Sequence, residues 1–304
     1  MNRTIVFCLF FVLAAMPAWA CIGLENERPT LKPNKSAGES LHALWQTQPG
    51  LVDRDGMAMP LNDQQLLEAM LIKSRVTKKK VLDSGITKPL RLDLDYEGRR
   101  FRGVFRHVHS TKERLKLKGE LHRFFQDSYK LELAAYQVAQ TLAIGHVPPV
   151  VARGIEGRDG SLQLWVENAV TEQKRRKDNL DFPEGFDHYK NKQHMLAFDL
   201  LIYNFDRHEG NFLYDENWYV WYIDHSRSFK VDSGLPNVER LHIVERKFWN
   251  KLQSVSKKEL NKRLRGHLNP MQLAAFHKRR ENLISYISTL IEERGESQVL
   301  YDWN

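Results

Sequence analysis

The apolar positions change period several times along the chain. Over 61–74, Leu66, Leu67, Met70 and Leu71 recur at helical spacing behind Asn62, which predicts a short capped helix. From Leu90 the period drops to two: Leu90, Leu92, Leu94 and Tyr96 alternate with polar residues, Glu97-Gly98 turns the chain, and Phe101 to His109 continues extended. That pattern predicts a hairpin. Leu131, Ala135, Val138 and Leu142 restore helical spacing, with Gly145 as the expected stop. Pro148-Pro149 then opens an extended run, Asp159-Gly160 reads as a hairpin turn, and residues 161–167 alternate again. Residues 171–186 are dominated by charge and predict a loop. Met195, Phe198, Leu201 and Ile202 predict a helix that delivers the chain to Asp206. Between Asn211 and Asp224 an apolar run folds back through Asp215-Glu216-Asn217, whose expected role is to turn a hairpin. The chain beyond Leu235 is mainly helical and ends in a long helix capped by Asn269, with Pro270 in its first turn and Gly295 as its stop. The sum is an α+β protein with a β-rich part over 61–167 and a helical part over 168–304.

The first residues change the picture of where the protein works. A basic Arg3, an apolar run from Ile5 to Ala15, Pro17 and the small-residue site Ala18-Trp19-Ala20 read as a secretory signal peptide, residues 1–20. Export to a periplasm or envelope, or outright secretion, is the expectation. Cleavage after Ala20 leaves Cys21 as the first residue and the one remaining cysteine, so no internal disulfide forms. Two fates stay open for Cys21: a lipid anchor, as in bacterial lipoproteins, or a free thiol. Residues 21–60 read as a linker or tether. The formal charge of +8 favours phosphate or anionic lipid as partners. No zinc finger, groove-reading helix or RNA-binding signature accompanies it, so specific nucleic-acid binding is not expected. The charged runs "RVTKKK" and "HKRREN" read as solvated faces, and His107 and His109 as ordinary strand residues rather than metal ligands.

Candidate chemistry concentrates in "NFDRHEGNFLYDENWYVWYIDHSRSF", residues 204–229. Phosphoryl transfer needs a carboxylate beside the attacking hydroxyl and oxygen ligands for a divalent cation that neutralises the phosphates. Asp206 follows a helix, Asn211 comes five residues later, and a hairpin can return Asp224 to the neighbourhood of Asn211. Asp206-Arg207-His208-x-x-Asn211 followed by Ile223-Asp224-His225-Ser226-Arg227-Ser228-Phe229 resembles the DRHxxN and IDFGxxF motifs of the atypical protein-kinase-like superfamily. That group embraces phosphatidylinositol-kinase-like, HipA-type and secretory-pathway kinases.

The resemblance implies a bilobal kinase-like fold, ATP with Mg²⁺ or Mn²⁺, and an unknown protein, lipid or sugar acceptor. It makes Asp206 the catalytic Asp and Asn211 and Asp224 the metal ligands. Upstream it puts Gly85, Thr87 and Lys88 near phosphates and Arg106 where such kinases carry a Lys. Glu132 becomes the helix acid that pairs with that cation, and Glu167 stands at a hinge where backbone groups read the adenine. Arg contacts phosphate through its fork but is not interchangeable with Lys. Three readings therefore stand: an active phosphotransferase or nucleotidyltransferase, a pseudokinase that holds nucleotide or a partner, and a basic envelope protein binding anionic surfaces. No GxSxG, HExxH or Cys-His pair supports a hydrolase.

Overall fold

A computed structural model describes residues 49–303, apart from 83–87 and 118–119 and from the side chains of 112–125. The expected signal peptide, Cys21, Gly85 and Thr87 lie outside the described residues. Ordered packing begins earlier than residue 61. Leu51 and Met59 are buried, and Asp53 binds Arg99 Nε at 2.8 Å, so the last part of the expected linker belongs to the folded body.

Helix α1 (Gln64–Lys73) is followed by strands β1 (Arg75–Val81), β2 (Leu90–Tyr96) and β3 (Arg99–Arg106). Its cap is Asp63, whose side chain accepts from Leu66 N, rather than the neighbouring Asn62. Strands β4 (His109–Leu117) and β5 (Glu120–Ser128) form a separate hairpin and lead into helix α2 (Tyr129–Thr141). Strands β6 (Val150–Ile155) and β7 (Arg158–Leu164) complete an antiparallel sheet of order β1-β2-β3-β7-β6. The lysines of "RVTKKK" are exposed on β1, at the sheet edge, where charge discourages pairing with other chains.

Two expected glycine roles are replaced by others. The β6–β7 turn falls at Glu156-Gly157, both at positive φ, while Asp159-Gly160 lies inside β7. A Cβ on Gly160 would stand 2.3 Å from the Arg106 carbonyl oxygen, so this glycine permits β7 to approach β3. Helix α2 ends through left-handed Ala143, and Gly145 is needed because a Cβ there would lie 2.7 Å from the Tyr219 hydroxyl.

The two faces of the sheet do different work. Leu92, Leu94, Phe101, Phe105, Leu162 and Leu164 join Leu67, Met70 and Leu71 of α1 in one core. The opposite face carries Val150 into a second, larger core built on α2 and the helical half. That half contains β8 (Val170–Thr171), α3 (Glu172–Lys177), α4 (His188–Ile202), the hairpin β9 (Phe212–Tyr214) and β10 (Val220–Tyr222), β11 (Val244–Glu245), α5 (Arg246–Ser254), α6 (Lys257–Leu264), α7 (Pro270–Arg294), α8 (Glu296–Val299) and β12 (Leu300–Tyr301). The run expected as a charged loop is thus partly helical: Glu172 is buried and gathers Arg175, Arg176 and the Tyr214 hydroxyl. Asp215 does more than turn the hairpin. Its buried carboxylate accepts from Gly50 N, Asn217 N, Tyr219 N and Trp221 Nε1, which ties the β9–β10 hairpin to the segment that precedes α1.

Candidate active site

Helix α4 stops at Tyr203, whose φ of 52° is left-handed, and the chain turns toward Asp206. The loop is fixed by Arg207 more than by its neighbours. Its guanidinium grips Asp199 of α4 in two bonds, at 2.8 and 2.9 Å, and donates to the carbonyls of Asn211 at 2.6 Å and Ile223 at 2.9 Å. One side chain therefore joins the helix end, the loop and the far arm of the hairpin. Burial alone would lower the Arg207 pKa, but Asp199 outweighs it and raises the value, so the cation persists.

The β9–β10 ladder extends one pair beyond the strands, because Ile223 N donates to Asn211 O at 3.0 Å. Asp224 is the next residue, so its backbone sits beside Asn211. The side-chain amide of Asn211 donates to the Asp206 carbonyl at 3.2 Å, which brings all three residues to one place. Asp224 has a φ of 63°, a conformation uncommon outside glycine and seen most in Asn and Asp. Its carboxylate stays 41% exposed, open to a ligand.

Arg106 enters this place from the end of β3. It is held 3.5 Å from Glu132 of α2 and 3.8 Å from Asp224. Glu132 also accepts from His225 N at 2.9 Å, so one buried carboxylate fixes both the sheet cation and the residue after Asp224. Burial would push the Glu132 carboxyl up, yet the Arg106 guanidinium and His225 outweigh it and hold it well below the usual carboxylate range. Nη1 of Arg106 is buried without a hydrogen-bond partner among the described residues. Such an atom is costly unless an acceptor arrives, and a phosphate oxygen is a suitable one.

The charges do not balance. Leaving His225 aside, Arg106 and Arg227 face Glu132, Asp224, Asp127 and Asp206, an excess of two carboxylates. Among the described residues no cluster of three His, Cys, Asp or Glu side chains could cage a metal. One carboxylate and one amide, completed by phosphate and water, suit Mg²⁺ or Mn²⁺ in a nucleotide complex.

No family model and no curated protein matches the sequence. Solved structures match the fold. The sugar-bound Fam20 of hydra superposes with a TM-score of 0.60 at 16% identity, over 88% of this chain and 99% of that one. The Golgi casein kinase with Mn and ADP bound gives 0.56 at 14% identity, over 88% and 87% of the two chains. A second structure of the Golgi casein kinase gives 0.54 at 16% identity, over 79% and 80%. The chain has an atypical protein-kinase-like fold.

Within this kinase-like frame the remaining expected residues sort themselves. Glu167 lies in the connection between β7 and β8, and its buried carboxylate is engaged by Arg102 Nε at 2.8 Å. Lys88 is exposed in a left-handed conformation just before β2. His107 stacks on Phe105, and His109 Nδ1 contacts Ser128 Oγ at 2.6 Å. His208 accepts from Gly210 N at 3.1 Å within its own loop.

Sequence reasoning passed over Arg207, Asp199, Arg227 and Asp127. The first and third lie inside the quoted motifs, where only their carboxylate and amide neighbours had been given roles. Asp199 carried a faint signal, a charged residue in the otherwise apolar run "LAFDLLIY". Arg227 donates to Asp206 at 2.7 Å and to Asp127 at 2.9 Å, and so couples the candidate catalytic carboxylate to the end of β5.

Proposed function

We propose that the protein is an exported phosphotransferase that moves the γ-phosphoryl group of a nucleoside triphosphate, ATP in the first instance, to a hydroxyl acceptor. The observation that carries this reading is the convergence of Asp206, Asn211 and Asp224 on one place beside the Arg106–Glu132 pair. Asp206 orients the acceptor hydroxyl and takes its proton. Arg106, aligned by Glu132, binds phosphate oxygens and neutralises part of their charge. Asn211 and Asp224 would hold Mg²⁺ or Mn²⁺, which supplies charge neutralisation across the phosphates when bound. Export rests on the signal-like residues 1–20, and membrane attachment would rest on Cys21, since no described helix is long and apolar enough to cross a membrane. The acceptor is a protein, a lipid or a sugar; a related fold carries a bound sugar, which supports testing sugar hydroxyls first.

Arg106 in place of Lys favours a second reading, a pseudokinase that binds nucleotide without transfer. Incubation with Mn²⁺ and ATP labelled at the γ- or the α-phosphate separates these readings. Retention of γ-label alone, lost in Asp206→Ala, is the expected outcome. Retention of α-label would instead establish nucleotidyl transfer, and no retention with intact nucleotide binding would establish the pseudokinase.

A further inference from the structure

The motif that residues 223–229 resemble has a Phe after its Asp, where this chain has His225. The ring is fully buried and packs edge-on against Phe198, with centroids 5.7 Å apart. An imidazole buried where a phenyl ring would fill the space costs free energy unless its nitrogens are used. Nε2 lies 3.2 Å from Arg207 Nη2. A guanidinium only donates, so Nε2 accepts and the ring proton sits on Nδ1. Nδ1 faces Glu132 Oε2 at 3.5 Å, and neither atom has a closer partner among the described residues. A buried donor and a buried acceptor are thus aimed at each other.

Residue 225 thereby addresses both oxygens of one carboxylate. Its main-chain N–H donates to Glu132 Oε1 at 2.9 Å, and its ring approaches Oε2. The last torsion of a Glu side chain is soft, so a carboxylate held at one oxygen can swivel and one held at both cannot. Glu132 Oε1 is also the atom that Arg106 Nε meets at 3.5 Å, and Arg106 Nη2 stands 3.8 Å from Asp224. The side chains form one line, Asp199–Arg207–His225–Glu132–Arg106, from the end of α4 to the end of β3. A Phe at 225 would keep the packing and break the line at its middle. Groups that hold a ligand-binding side chain from behind set its orientation and, through it, affinity.

We propose that His225 is a positioning residue: through its Nδ1–H it orients Glu132, and through Glu132 it aims Arg106 at the phosphates, so that the loop held by Arg207 and the sheet cation act together. The inference rests on the nucleotide-binding reading above. The test is a double-mutant cycle read by calorimetric titration of ATP with Mn²⁺ into the full chain, His225→Phe, Arg106→Met and the pair. His225→Phe is expected to weaken binding about tenfold. The pair should bind no more weakly than Arg106→Met alone, because nothing then remains to be oriented. His225→Asn carries an N–H where Nδ1 stood and should recover most of the affinity. Where Arg106→Met leaves too little binding to measure, that recovery decides. Additive losses in folded variants, or His225→Asn as weak as His225→Phe, overturn the positioning role and leave nucleotide binding intact. Nitrogen-15 resonances of the His225 ring in the unaltered chain need no variant to fold: a proton on Nδ1 is expected, and a proton on Nε2 overturns the role. Failure of the unaltered chain to bind ATP with Mn²⁺ overturns the nucleotide reading itself, and the role with it.

Discussion

Arg207 shows how one side chain can carry a site that its neighbours advertise. Its bonds to Asp199, Asn211 and Ile223 hold together the end of α4, the loop and the far arm of the hairpin. Removing one member of a buried ion pair strands the other, so Asp199→Ala is expected to cost about 3–5 kcal/mol in urea denaturation. Asp206→Ala should behave differently. Its carboxylate is 27% exposed and its bond to Arg227 is partly solvated, so stability should change by about 1 kcal/mol or less while label transfer disappears. Asp206, Asn211 and Asp224, the residues proposed to meet ligand, were legible through their order in the chain and the motifs they resemble. The residues that hold them were not, because Arg207 and Asp199 act across a helix end whose geometry no periodicity records. Arg106 and Glu132 were legible only through likeness. Their pairing joins β3 to α2 and depends on how the sheet and helix pack.

At the scale of elements, period-two and helical patterns found β2, β3, α1, α2, α4 and α7 close to their observed places. The last of these was read with its cap Asn269, Pro270 in the first turn and Gly295 as stop; the structure adds Gln272, which completes a reciprocal capping box with Asn269, and Gly295 ends the helix with a φ of 87°. Asn269→Ala is expected to lower stability by about 1 kcal/mol, measurable by thermal unfolding. The β4–β5 hairpin was missed, since "HSTKERLKLKGELHRFFQDS" has no apolar alternation strong enough to mark it. Glycines misled where they serve contact rather than conformation. Asp159-Gly160 has the composition of a hairpin turn, but Glu156-Gly157 supplies the two positive-φ residues and Gly160 the close approach to Arg106. Gly160→Ala should therefore push β7 from β3, lower stability by about 1–3 kcal/mol, and weaken nucleotide binding through the displaced Arg106. Unaltered affinity in a folded Gly160→Ala protein would contradict that link.

The whole molecule should be sensitive to mild acid. His146 is buried against Tyr219 and Tyr222, and its Nδ1–H donates to the Val220 carbonyl at 2.7 Å. Burial, with His194 close by, lowers its pKa from 6.5 to about 3. Burial likewise lowers His277 to about 4. A depressed histidine stays neutral in the folded state while the unfolded chain takes up a proton, so stability present above pH 6.5 is lost as pH falls toward the folded value. For His146 the loss at pH 5 is on the order of 2 kcal/mol. Melting temperature should fall between pH 7.5 and 5, and His146→Phe should make the fall shallower. Glu172 adds to this loss only at lower pH: burial would raise its pKa, but Arg175, Arg176 and Tyr214 draw it down to about 2, so its contribution is lost as pH falls from the ordinary 4.5 toward that value. Asp215 opposes part of the loss, because burial raises its carboxyl to about 6 and the folded state takes up that proton first.

The claim that organises the molecule is that the β-rich part and the helical part meet to bind a metal–nucleotide complex through Asp224. Calorimetric titration of nucleoside triphosphate with and without Mn²⁺, into the unaltered chain and into Asp224→Ala, measures it directly. Metal-dependent binding to the unaltered chain, abolished by the substitution in a protein that melts at the same temperature, is the predicted result. Equal, metal-independent binding by both proteins would contradict it.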